Sequence, residues 1–243
     1  MIQTVRSVLF IAQMYVMMLV IGLAFFPYAL FNKEGARFCC KTFCRYVFWS
    51  MGWMVGIRNE VRGEVPQGEV LIAAKHQSFL DILMIFNALP SAKFIMKRDI
   101  LWTPIIGFYA RRLDCVPVDR GKRGAAIGKM VADVQAGRVD PGQLVIYSQG
   151  TRVAPGVKKP YKVGTAVLYE QLGQPCVPVA TNVGIFWPRK GLWRKPGLAV
   201  VEFLPEIVPG MEKGAFLAHL EAAVETRSDA LMREGGFEAD GVH

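Results

Sequence analysis

Residues Ser7 to Asn32 carry no charged side chain, and their core, Val8 to Ala12 through Leu23 to Phe26, is almost wholly apolar. An apolar run longer than about 20 residues can cross a bilayer or enter it deeply, so it reads as a membrane anchor. A secretory signal is the competing reading. Its apolar region is usually shorter, and no small-x-small cleavage pattern follows this one. Lys33, Arg37, Lys41 and Arg45 follow the run, whereas Arg6 alone precedes it. That bias predicts a cell-membrane location with the bulk of the chain on the cytoplasmic side. A second run, Tyr46 to Ile57, is too short to span alone. Its Trp49 and Trp53 are i,i+4 neighbours of the kind that settle between headgroups and tails. It reads as a helix lying in or dipping into the membrane, with an ordinary core helix as the alternative. The expected division is a membrane-anchoring unit at 1–57 and a working domain at 58–243.

Beyond residue 57, short apolar runs alternate with helical patterns. Strands are expected at 58–63, 69–74, 92–97, 114–119, 143–148, 176–180 and 198–204. Helices are expected at 79–89, 122–136, 162–172 and 213–233, with a short one opened by Thr103 and Pro104. Pro117 marks its strand as an edge or a bulge. The alternation predicts an α/β fold: a central mixed, partly parallel sheet flanked by helices, behind an N-terminal membrane-associated helical segment. The net charge of +9 on a chain that is 52% hydrophobic favours an anionic substrate or an anionic membrane surface. Nucleic acid is not an expected partner, because the cations are scattered and no recognisable binding module is present. The five cysteines, Cys39, Cys40, Cys44, Cys115 and Cys176, form neither a disulfide framework nor a zinc spacing, and three scattered histidines add no metal site.

The heptad Lys75-His76-Gln77-Ser78-Phe79-Leu80-Asp81 lies where a strand ends and a helix begins, a common position for catalytic groups on α/β scaffolds. On an unbroken helix, His76 and Asp81 would point about 140° apart. They meet only if the chain turns between them. Ser78 as N-cap would put Asp81 at N3, from which its carboxylate could hold the imidazole. A histidine held in this way has its tautomer fixed and its other nitrogen free to take a proton from a hydroxyl. Ser-x-x-Asp is also a capping box, so Asp81 could equally serve backbone amides alone.

Two basic loops follow strands. In Asp119-Arg120-Gly121-Lys122-Arg123-Gly124, the glycines and the start of a helix suit an anion. In Ser148-Gln149-Gly150-Thr151-Arg152, the arginine offers a planar fork to phosphate, Thr151 a hydroxyl, and Gly150 close backbone approach. Neither loop matches a nucleotide-binding fingerprint, so no nucleotide cofactor is expected.

Together these residues resemble the lysophosphatidic acid acyltransferase (1-acylglycerol-3-phosphate O-acyltransferase) family. Its blocks are matched in order by His76 to Asp81, by Lys97-Arg98 through Pro104 and Gly107 to Val118-Asp119-Arg120, by Gln149-Gly150-Thr151-Arg152, and by Val177-Pro178-Val179-Ala180. The resemblance implies acyl transfer from acyl-CoA or acyl carrier protein to the sn-2 hydroxyl of 1-acylglycerol 3-phosphate, giving phosphatidic acid for phospholipid synthesis, without metal or cofactor. It implies His76 as base, Asp81 as its orienting acid, Arg120, Gly150, Thr151 and Arg152 on the phosphate, and Gln149 positioning the acceptor. Gln149 stands where the family usually has Glu, and Lys75 where Asn is frequent. A neutral amide cannot accept a proton as a carboxylate does. Acylation of glycerol 3-phosphate or a lyso-aminolipid therefore stays open, as does a non-enzymatic membrane protein that binds anionic lipid.

Overall fold

The computed structural model describes residues 2–118, 128, 132 and 140–238. Arg120 and the helix expected at 122–136 lie largely outside them. Seven strands form one sheet: β1 (Ile57–Arg62), β2 (Leu71–Ala74), β3 (Ala92–Lys97), β4 (Val116–Val118), β5 (Gln143–Tyr147), β6 (Cys176–Thr181) and β7 (Gly197–Phe203). Their spatial order is β1-β7-β6-β2-β5-β3-β4. Every neighbouring pair is parallel except β6 and β7. The fold is α/β as expected, and β4 with its Pro117 is an edge strand.

The central strands explain the layering. All of β2 and all of β6 are buried, as parallel strands covered on both faces must be. Alternate side chains then serve different cores. Ile72, Ala74, Val145 and Val179 pack with α1 (Ile2–Ala24), α3 (Lys33–Val55) and α4 (Leu80–Ala88). Leu71, Ala73, Leu144 and Cys176 pack with α6 (Val163–Leu172) and α7 (Lys213–Glu234) on the opposite face. Pro178 sits in a central strand, where a missing amide would normally break a ladder. It is tolerated because β7 pairs only with Val179 to Thr181. Beyond that point Pro178 needs only to accept, and its carbonyl takes the amide of Leu204 at 2.9 Å.

The N-terminal helices fold back on this body. The second apolar run is the last half of α3, which begins at Lys33 and joins α1 through the short α2 (Phe26–Phe31). Buried Phe10, Met14 and Ile21 form one stripe of α1, while Leu9, Val16, Val20 and Leu23 are exposed. At its start, the Gln3 side-chain amide donates to the carbonyls of Val55 (3.0 Å) and Arg194 (2.7 Å). At its end, the Tyr109 hydroxyl donates to the Gly22 carbonyl at 2.8 Å. A Cβ on Gly22 would lie 2.6 Å from Ile105 Cγ2, so any larger residue there would push the Ile105 side chain away. A helix of 23 residues, about 35 Å long, is thus fastened near both ends to one body. Within the second block, Pro104 does not open the helix. Ile106 N donates to Pro104 O at 2.7 Å across Ile105, whose φ is 64°, and this strained γ-turn delays α5 to Ile106–Arg112.

Candidate active site

The alternation along β2 continues into the heptad and separates two neighbouring side chains. Lys75 turns toward α7, where its ammonium meets Glu225. Glu225 also accepts from the Tyr161 hydroxyl at 2.9 Å. Lys75 is 2% exposed, so its charge has little solvation beyond this pair. Removing one partner of a buried pair strands the other's charge. Lys75→Met is expected to cost about 3 kcal/mol, measured by urea unfolding, and Lys75→Met/Glu225→Gln to recover part of that loss.

His76 turns the other way, toward α4. Its ring stacks on Tyr147 at the end of β5, with centroids 3.9 Å apart and planes 18° from parallel. Its Nδ1 lies 2.8 Å from Asp81 Oδ1. Asp81 is fully buried, and its Oδ2 accepts the amides of Gln77 (2.8 Å) and Ser78 (2.7 Å). The Ser78 hydroxyl accepts from Leu80 N at 3.2 Å. The N-cap is Phe79 rather than Ser78, which puts Asp81 at N2, yet the amide-holding and imidazole-holding roles of Asp81 coexist, one carboxylate oxygen for each. Two donated amides fix the carboxylate before it meets the ring, so the ring orientation is built into the first turn of α4. Burial, and then the Asp81 carboxylate, hold the Tyr147 pKa well above the ordinary phenol value. Tyr147 is thus a neutral platform for the ring. No other side chain is hydrogen-bonded to the imidazole among the described residues, which leaves Nε2 open to a ligand.

The second basic loop reaches the same place. Gly150, at φ 69°, turns the chain after β5 in a conformation other residues rarely adopt. Val153 N then donates to the His76 carbonyl at 2.8 Å, tying this loop to the heptad. His76, Gly150, Thr151 and Arg152 all line one cavity of about 640 Å³. Lys97, Lys162 and Arg189 line it too, and no carboxylate residue does among the described residues. Lys97 is already paired with Asp99. Most of the remaining wall is apolar, with Met18 and Ile21 of α1, Leu83 and Phe86 of α4, and Leu113, while Thr103, Ser148 and Thr165 add hydroxyls. The cavity therefore brings cations and an imidazole into one space with apolar side chains suited to hydrocarbon. Cys115 also lines it, but burial pushes its thiol up to about 11, leaving little thiolate near neutral pH.

Gln149 is not brought to this cavity. It is 1% exposed and donates its amide to the Lys159 carbonyl at 3.0 Å, bracing the loop from behind. Arg120 lies outside the described residues. Sequence reasoning missed Tyr147 as the ring's platform. It also missed Arg189, which comes from the loop before β7 and donates to the Arg152 carbonyl at 3.2 Å.

A model of the acyltransferase family matches residues 57–182, just over half of the chain and all four blocks. The chain belongs to the acyltransferase family. A 1-acyl-sn-glycerol-3-phosphate acyltransferase of Pseudomonas aeruginosa is 27% identical over 238 residues, covering 96% of this chain and 92% of the relative. The alpha form from Homo sapiens is 29% identical over 168 residues, 67% of this chain but 59% of its own length. In structure, the acyltransferase PlsC of Thermotoga maritima, which acts on 1-acyl-sn-glycerophosphate, covers 94% of this chain and 97% of its own. Its TM-score is 0.79 at 20% identity, a likeness of fold. The matched family span begins at β1 and ends just past β6, so it contains His76, Asp81, the glycine-rich loop and the Val-Pro strand.

Proposed function

We propose that this acyltransferase moves a fatty acyl group from a thioester to the sn-2 hydroxyl of 1-acylglycerol 3-phosphate, giving phosphatidic acid for phospholipid synthesis. The carrying observation is a single cavity lined by the Asp81-held His76, by Arg152 and by apolar side chains. The activity for which these relatives are named points to the same acceptor. In the proposed step, Nε2 of His76 takes the hydroxyl proton as the oxygen attacks the thioester carbonyl. The tetrahedral intermediate collapses, the carbon–sulfur bond breaks, and the departing thiolate receives the proton back from the ring. Asp81 keeps Nδ1 protonated and stabilises the imidazolium. Arg152, Thr151 and the Gly150 amide hold the phosphate, with Arg120 added by the resemblance. Gln149 braces their loop. The donor is a thioester of coenzyme A or of acyl carrier protein.

Residues 1–57 form the anchoring unit in this reading. Because α1 is fastened near both ends to the body, it lies along one leaflet with its exposed stripe in lipid, on the cytoplasmic face of the cell membrane. The test is purified protein with radiolabelled acyl thioester and a panel of lysolipids. Phosphatidic acid is the expected product. Arg152→Ala is expected to lower kcat/KM for the phosphate-bearing acceptor about 10–100-fold, the scale of a lost charge-assisted contact. An acceptor lacking phosphate should change less than about threefold. Equal losses on both acceptors would remove the phosphate role.

A further inference from the structure

The segment Trp187-Pro188-Arg189-Lys190-Gly191-Leu192-Trp193-Arg194-Lys195 carries four cations and no carboxylate. Leu192 is 58% exposed and Trp193 47% exposed. Isolated exposed apolar residues are ordinary, but this loop is braced to keep its pair outward. Arg194 is buried, and its Nη1 donates to the carbonyls of Gly191 (3.1 Å) and Trp193 (3.2 Å), closing the turn from inside. Its guanidinium lies 4.7 Å from the Trp187 ring centroid. Its backbone amide donates to the Ser7 hydroxyl at 2.9 Å. At the base, Lys195 N donates to Phe186 O at 2.9 Å.

These bonds also fix where the loop sits. Gln3 joins Arg194 to Val55, the last residue of α3. Arg6 donates to the Trp53 carbonyl at 2.6 Å. The loop, the start of α1 and the end of α3 therefore meet at one end of the molecule. The exposed Trp49 and Trp53 lie on that end of α3, and exposed Val5 and Leu9 on that end of α1. Tryptophan favours the headgroup zone, and cations favour anionic lipid.

We propose that the loop at 188–195 is a second membrane contact, docking on an anionic phospholipid surface. Leu192 and Trp193 enter the interface, and Arg189, Lys190 and Lys195 meet headgroup phosphates. The charge of the loop and its continuity with the exposed apolar stripe of α1 select a bilayer as the occupant. The inference rests on the membrane reading of α1. It has a consequence for the site, because Arg189 also lines the cavity and donates to Arg152 O. A docked loop sets the cavity entrance at headgroup depth, where a lysolipid can slide in.

The experiment uses full-length Leu192→Cys carrying a polarity-sensitive dye, with Leu9→Cys as the α1 control. The parent chain, labelled in parallel, supplies the background of the native cysteines. Both sites are exposed, so neither change removes core packing. With vesicles of phosphatidylcholine and phosphatidylglycerol, a blue shift is expected at both positions. Lys190→Gln in the Leu192→Cys chain should raise the lipid concentration for half the shift about fivefold, equivalent to about 1 kcal/mol for one cation near an anionic surface. A shift at position 9 without one at 192 overturns the loop proposal and leaves the anchor standing. No shift at either position overturns both. A shift at 192 produced by acyl carrier protein without vesicles assigns the loop to a protein partner and also overturns the proposal. An unchanged half-point in Lys190→Gln overturns its electrostatic part.

Discussion

Asp81→Asn is expected to fold and bind lysolipid nearly as well as the parent, yet turn over about 10³–10⁴-fold more slowly. The two oxygens of Asp81 have separate duties. Oδ2 accepts two amides at 2.7 and 2.8 Å, and Oδ1 faces His76 Nδ1 at 2.8 Å. An asparagine can keep its oxygen on the amides, because two N–H groups already point there and an NH₂ in that place would oppose them. Its NH₂ must then face the ring. That group donates, so Nδ1 must accept, and the proton moves to Nε2. Nε2 is the nitrogen that points away from Asp81 and must be bare to take a proton. The variant therefore keeps the helix start and loses the base. The measurement pairs steady-state kinetics with urea unfolding. A stability loss under about 1 kcal/mol with turnover down a thousandfold is the expected pair. Asp81→Ala separates the duties further, because it also strands the two amides and should add about 1–3 kcal/mol of destabilisation. Should Asp81→Asn retain a tenth of the activity, the carboxylate is only a cap.

The positions of most strands were legible because they are short apolar runs closed by glycine, proline or charge, and β3 begins and ends as expected, whereas β1, with Arg58, Asn59, Glu60 and Arg62, is mostly polar. Alternation explains why Lys75 and His76 take opposite faces, but only the fold shows which face holds the chemistry. The reversal of β1 and β7 against the other strands left no mark, since an apolar run reads the same in either direction. Long-range partners were equally silent. Glu225 is 150 positions from Lys75, and Arg189 reaches Arg152 across 37. The expected acceptor-positioning role of Gln149 followed from its place in a motif. Its side chain instead answers a local need, the Lys159 carbonyl in its own loop. The competing readings of Asp81 could not be separated in sequence because both are correct, and two oxygens suffice for both.

His76→Ala is expected to lower kcat about 10²–10⁴-fold with little change in KM for the acceptor. The split follows from the layout of the cavity. In the proposed reading, acceptor binding rests on the glycine-rich loop and on the apolar wall, neither of which includes the imidazole. In the proposed step, proton removal rests on Nε2, since Tyr147 is held as the neutral phenol and Cys115 as the thiol. Truncation leaves the Tyr147 face and the second oxygen of Asp81 in place, so the space it opens is polar at one side and can admit water. Water is a weaker base than imidazole near neutral pH, which keeps the residual rate low. Imidazole added to His76→Ala should restore part of the rate, because the Asp81 oxygen and the Tyr147 face that position the ring both remain. Rescue should be absent from His76→Ala/Asp81→Asn, where the added ring would be held in the wrong tautomer. Ser148 and Thr165 both line the cavity with buried hydroxyls that have no protein partner among the described residues, and Ser148, which follows Tyr147 in the chain, offers a rival mechanism with an enzyme nucleophile. A covalent acyl-enzyme would make Ser148→Ala as damaging as His76→Ala. Direct attack by the substrate hydroxyl predicts that Ser148→Ala keeps more than about a third of the parent rate, because no step of that route passes through it.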